Sequence, residues 1–80
     1  MIVLNQAARL VAISAARTAI REGRLRKLRE RHGFSQRELA RALGVGESAV
    51  SRWESGNRVP REAVAERLNV LLRALEDGAP

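Results

Sequence analysis

The chemistry most available to this sequence is that of arginine. Fifteen basic side chains oppose nine acidic ones, giving a formal charge of +6 and a pI of about 11.6. All of the basic residues except Lys27 are arginine. A guanidinium stays charged at any ordinary pH and presents a planar fork of N–H donors. That fork fits the oxygens of a phosphate, or the O6 and N7 acceptors of guanine. The charge is also concentrated. Residues 23–58 hold nine basic and four acidic side chains, whereas residues 59–80 hold three and four. A positive field over that stretch selects a polyanionic partner.

Other chemistries lack their reagents. The chain has no Cys, which excludes disulfides and thiolate metal sites, and His32 is the single histidine, which excludes a histidine metal cluster. In the last turn of a helix, His32 reads as a dipole partner or a solvated ring. No nucleophile stands beside a base, no carboxylates cluster, and Gly44 and Gly46 make only a GxG fragment without a phosphate-binding Lys. The expectation is a protein that is not an enzyme and needs no cofactor or metal. No run reaches the roughly 18 apolar residues of a membrane span. Asn5, Gln6 and Arg9 interrupt the N-terminal apolar run, which lacks the basic start of a secretory signal. The expected location is the cytoplasm of a bacterial host cell, at the nucleoid.

The elements that must position these arginines centre on Ser35 to Gly56. Ser35 and Glu38 have the spacing of a capping box, in which the Ser oxygen takes a free backbone N–H and the Glu reaches back. Leu39, Ala40 and Leu43 give one apolar helical face, and Gly44 suits a helix stop that needs a positive φ. Val45 returns to the core. A second helix from about Glu47 buries Val50 and Trp53 and stops before Gly56. Two short helices with a Gly in the turn between them form a helix-turn-helix.

Eighty residues allow one small domain. Met1 to Leu4 reads as a frayed lead-in or a short strand. Gln6 to Ala16 is Ala-rich and helical, with Asn5 as its cap and Leu10, Val11 and Ile13 on a broad apolar face. That helix packs either on its own domain or on a partner. A second helix is expected from Ala19 to Arg31, capped by Thr18 and weakened by Gly23, unless the two fuse. Ile20, Leu25 and Leu28 are its core positions, and Gly33 its stop. After the motif, Pro60 suits the first position of a last helix running to about Glu76. Val64, Leu68, Leu71 and Leu75 form its stripe, widened by Val70 and Leu72. A stripe this wide can serve core and dimer together, so these four, with Leu10 and Ile13, are candidate dimer contacts. The division expected is residues 1–17 as a helical extension, 18–76 as the helix-turn-helix domain and 77–80 as a tail.

The sequence resembles the Cro/lambda-repressor-like helix-turn-helix family, also called the XRE family. The matching residues are Leu25-Arg26-Lys27-Leu28-Arg29-Glu30, Gly33-Phe34-Ser35-Gln36, Glu38-Leu39-Ala40, Gly44-Val45, Ser51-Arg52-Trp53-Glu54-Ser55-Gly56 and Asn57-Arg58-Val59-Pro60. The resemblance covers about Ile20 to Leu75. It implies an all-α fold, a compact bundle of about five helices. Two departures bear on its dimer surface: residues 1–17 precede the family's usual first helix, and the family's last two helices appear here as one.

The resemblance also implies roles. Gln36 matches a position whose amide contacts phosphate, and Ala40 one kept small so that the two helices approach. Glu47, Ser48, Ala49, Ser51 and Arg52 match base-facing positions. Of these, Arg52 can fork onto guanine, Glu47 can accept from cytosine N4, and Ala49 can touch a thymine methyl. Asn57 and Arg58 are candidate phosphate contacts, as are Arg37 and Arg41 on the exposed face of the first motif helix. Arg29 and Glu54 match an ion pair joining the first helix to the recognition helix. The implied function is that of a small phage or prokaryotic repressor of the Cro kind. It would bind double-stranded DNA as a homodimer on an inverted-repeat operator. An antitoxin or restriction-modification controller with this fold is an alternative, with a protein partner held by the N-terminal helix. A protein-interaction module without specific DNA binding is another.

Overall fold

The computed structural model describes residues 2–78, with side chains from Gln6 onward. Five helices follow one another: α1 (Ile2–Arg21), α2 (Arg24–Arg31), α3 (Gln36–Leu43), α4 (Glu47–Glu54) and α5 (Glu62–Asp77). No strand occurs among the described residues, so the chain forms the all-α bundle its sequence implies. Met1 of the lead-in and residues 79–80 of the expected tail lie outside the described residues.

The first helix boundary differs from the sequence reading. α1 runs unbroken through Arg17 and Thr18, so Thr18 is a mid-helix residue and caps nothing. The break falls at Gly23, which adopts a φ of 75°. The amide of Glu22 still donates to Thr18 O at 2.9 Å, and that of Gly23 to Ile20 O at 3.0 Å. A left-handed residue closes the helix there, and only glycine takes that conformation without a Cβ penalty. The buried face explains the continuity. Ile13, Ala16, Ala19 and Ile20 are all inside the core, and a break at Thr18 would split them.

α1 lies along α5, the most extensive helix pair in the molecule. Arg9 supports it from outside, with Nε and Nη2 each 3.0 Å from a carboxylate oxygen of Glu66. The N-terminal helix therefore packs on its own domain. Of the candidate dimer contacts, Ile13, Leu68 and Leu75 are buried in this core, and Val64 and Leu71 are half-buried against it. Leu10 is 64% exposed. The inward face of α5 is Ala65, Leu68, Leu72 and Leu75, while Val70 is 68% exposed.

The second boundary that differs is the start of α5. Pro60 precedes the helix, which begins at Glu62 with Arg61 at the cap position. Pro60 is buried, and its carbonyl accepts from Arg17 Nε at 3.3 Å and Nη2 at 3.2 Å. A guanidinium on α1 thus satisfies a buried carbonyl of this loop, while the first amides of α5 have no side-chain cap. Asp77 is the last residue of α5 rather than part of a tail, and the amide of Gly78 donates to Ala74 O.

His32 is tied down as well. Its Nε2 lies 3.0 Å from Leu75 O near the end of α5, and its ring stacks on Phe34 with centroids 6.1 Å apart. A carbonyl of the last helical turn thereby gains a side-chain donor.

Candidate nucleic-acid interface

α3 begins with a complete capping box. Ser35 Oγ accepts from the amide of Glu38 at 3.0 Å, and Glu38 Oε1 accepts from the amide of Ser35 at 2.8 Å. The reciprocal bonds leave the amides of Gln36 and Arg37 at the positive end of the helix, where an anion is favoured. The helix ends at Gly44, whose φ is 72°, and the amide of Val45 donates back to Ala40 O at 3.0 Å. The chain then turns through Gly46, an N-cap without a side chain, into α4.

Packing fixes the angle between the two helices. Leu39, Ala40 and Leu43 from α3 and Val50 and Trp53 from α4 are each 5% exposed or less. Val45 packs half-buried at their edge. Since Val50 and Trp53 take the inward face, α4 turns Glu47, Ser48, Ser51 and Arg52 to solvent. Ala49 differs from these four. It is half-buried against the core, so less of its methyl is available to a ligand.

Behind this face lies a half-buried polar network. Arg29 Nε is 2.7 Å from Glu54 Oε2 and Arg29 Nη2 is 2.9 Å from Glu54 Oε1. Gln36 Nε2 donates to the same Oε1 at 3.0 Å. Arg29 Nη1 donates to Phe34 O at 2.9 Å. One carboxylate therefore joins α2, α3 and α4, and one guanidinium also holds the loop before α3. Burial alone would raise the Glu54 carboxyl. The hydrogen bonds from Arg29 and Gln36, with the charges of Arg29 and Arg26, outweigh it and hold the group below the ordinary carboxylate range. The Glu54 hydrogen bonds raise Arg29 above its already high value, against its own desolvation. Gln36 thus commits one amide hydrogen to Glu54, a bond its sequence position did not suggest.

The chain leaves α4 through Ser55 and Gly56. Gly56 has a φ of 82°, and the amide of Asn57 donates to Arg52 O at 3.0 Å. Asn57 Nδ2 donates to Ser55 Oγ at 3.1 Å, so this side chain braces its own turn. Arg58 follows, exposed. Among the described residues, Arg37, Arg41, Arg52 and Arg58 form no salt bridge, whereas Arg9, Arg24, Arg26 and Arg29 do. Cations without a salt bridge among the described residues occur on all five helices, and every arginine of α3, α4 and the loop after α4 is among them. Arg17 and Arg61 contribute to the same region and were not singled out in the sequence. No local pattern marks Arg17, because its partner Pro60 is forty-three positions away.

The described residues contain no cluster of His, Asp or Glu able to hold a metal ion, and no helix long and apolar enough to cross a membrane. A family model described as a helix-turn-helix domain matches residues 23–79, starting at the glycine that ends α1. A protein of Pyrococcus furiosus, provisionally named an HTH-type transcriptional regulatory protein, is 49% identical over 45 residues. A protein of Pyrococcus abyssi with the same kind of name is 47% identical over 45 residues. Each match covers 56% of this chain but only 14% of the length of the relative. No solved structure matches the chain significantly.

Proposed function

Because the chain belongs to the helix-turn-helix domain family, of the XRE-like kind, we propose that it is a transcription regulator that binds double-stranded DNA in a sequence-specific way. The observation that carries this reading is the solvent face of α4. Glu47, Ser48, Ser51 and Arg52 stand together on one exposed side of a helix fixed by Val50, Trp53 and the Arg29–Glu54 pair. Arg58, in the loop after α4, lines the same cleft as Arg52. In this reading α4 enters the major groove, with Arg52 as the strongest reader. The amides of Gln36 and Arg37, with Arg37, Arg41 and Arg58, hold the phosphates on either side and set the register. Ala49 adds an apolar contact at most, because it is half covered.

One strong reader per subunit discriminates few base pairs, so the regulator works as a homodimer of the Cro kind. It occupies an inverted repeat with half-sites about 34–36 Å apart and excludes polymerase from the operator. Selection from a random duplex library tests this. Enrichment of one two-fold symmetric sequence, preferred over random DNA by about 10³–10⁷, is the expected result. A library from which no duplex is enriched overturns the reading.

One observation favours a protein contact in addition. Leu10 and Val11 are 64% and 69% exposed on α1, outside the segment that matches the family model. Two large apolar side chains in solvent suit a contact with a second copy or another protein. Substituting both with Ser and weighing the particle in solution tests this; an unchanged mass with every partner removes α1 from the contact.

A further inference from the structure

A cleft of about 330 Å³ opens between α4 and the start of α5. Val45, Trp53, Val59 and Val64 supply apolar wall, and Arg52, Arg58 and Arg61 line the same space. All three arginines are exposed, and none of them forms a salt bridge among the described residues. No acidic side chain lines the cleft. Its contents are therefore apolar surface and cations of one sign.

That combination narrows the occupant. An inorganic anion would satisfy the guanidiniums and leave the valines wet. A neutral apolar molecule would cover the walls and desolvate arginines without pairing them. A molecule with both an apolar body and an acidic group answers both surfaces. The volume lies at the small end of the range for ligand sites, about 300–1,000 Å³, which fits a body of one or two rings. The planar guanidiniums stack on the face of an aromatic body.

We propose that this cleft binds a small aromatic acid, and that its occupancy withdraws Arg52 from DNA. The coupling follows from shared use of one side chain. Arg52 cannot pair with a carboxylate in the cleft and fork onto a base in the groove at the same time. The site itself does not depend on the DNA-binding reading; the coupling does.

Trp53 is the single tryptophan and lines the cleft, so its one indole N–H signal in the NMR spectrum reports on occupancy. Titration with 1-naphthoate should move that signal saturably. The neutral analogue 1-naphthalenemethanol should bind about tenfold more weakly or worse. Arg61→Ala should weaken 1-naphthoate by about tenfold, and its exposed position keeps the fold intact. Val64→Phe should fill the cleft and abolish the shift. The site is overturned by no saturable shift, by equal affinity for the neutral analogue, or by an unchanged affinity in Arg61→Ala. A labelled duplex then reports the coupling, and 1-naphthoate should displace it in proportion to occupancy of the cleft. A saturated cleft with the duplex still bound overturns the coupling alone. A protein that binds no duplex overturns the coupling together with the DNA reading, while the Trp53 titration still decides the site.

Discussion

Arg29 and Glu54 stand twenty-five positions apart, yet two guanidinium N–H groups meet two carboxylate oxygens at 2.7 and 2.9 Å. Their side chains are 12% and 4% exposed. The pair is therefore desolvated, and each partner is a liability without the other. Glu54→Ala should destabilise the fold by about 3–5 kcal/mol, because Arg29 is left charged in a site with little water. Arg29→Ala should cost a similar amount. The double variant Arg29→Met, Glu54→Leu should recover much of the loss, since no charge is then stranded. Urea unfolding of the four proteins checks this; single and double variants of equal stability would refute the account.

Acid should undo the same interaction. The folded Glu54 carboxyl titrates below its ordinary value of 4.5. A depressed folded value contributes stability that is complete above the unfolded value and is lost as pH falls through the folded one. The thermal midpoint should therefore drop below about pH 4.5, over and above the background from other acids. Glu54→Gln should be less stable at neutral pH and show a shallower decline in acid. Thermal scans across that range give the comparison, and parallel curves would exclude Glu54 as the source.

Much of the fold follows from local rules that the sequence displays. The Ser35–Glu38 box, the Gly44 stop and the apolar positions of α3 and α4 lie within a few residues of one another, and the structure places these elements accordingly. The long-range ties are a different matter. Arg17 holding Pro60 O and His32 meeting Leu75 O each join residues forty-three positions apart. No periodicity reports such a bond. The misplaced break before α2 has a simpler origin. Thr18 is a good cap by type, but Ile13, Ala16 and Ile20 share one buried face, and packing against α5 overrides the local preference. Exposure along α4 was legible from its period, except at Ala49, which is half-buried against the core.

Two glycines in the turn should respond to substitution with opposite sign. Gly44 has a φ of 72°, so Gly44→Ala places a Cβ in the left-handed region and should cost about 1–2 kcal/mol. Gly46 has an extended backbone at φ −78° and ψ 154°, and an added Cβ meets only Ser48 Oγ at 3.8 Å. Gly46→Ser supplies the missing cap oxygen to α4 and restricts the unfolded chain. It should stabilise by about 0.5–1 kcal/mol. Denaturation midpoints of both variants, measured side by side, decide the matter.

The loop after α4 should depend on a helix far from it in sequence. Arg17 provides two donors to Pro60 O, and α5 has no side-chain cap of its own. Arg17→Ala leaves that carbonyl unpaired in a buried residue and should cost about 1–3 kcal/mol. Amide hydrogen exchange should speed up at Arg58, Val59 and Arg61 and stay unchanged in α3. Affinity for DNA should fall with no change in base preference if Arg58, in the loop that Arg17 holds, is the phosphate contact proposed above. A shift in the preferred sequence would contradict this.

Arg52 should be the opposite case. Its backbone is held firmly, since Ser55 Oγ and the amide of Asn57 both donate to Arg52 O, at 3.1 and 3.0 Å. Its side chain is exposed and pairs with no acid among the described residues. A fixed root with an uncommitted fork is what bidentate recognition of guanine requires. Arg52→Ala should therefore leave folding almost untouched, while costing about 1–3 kcal/mol in specific binding and relaxing the preference at one base pair. Arg52→Lys separates the two explanations of such a loss. An ammonium retains the charge but cannot span O6 and N7. A phosphate contact would survive that change and a base contact would not. Affinity for the selected duplex, and for the same duplex altered one base pair at a time, is the measurement. A loss equal on every sequence would assign Arg52 to phosphate and leave Glu47 as the remaining charged reader on α4.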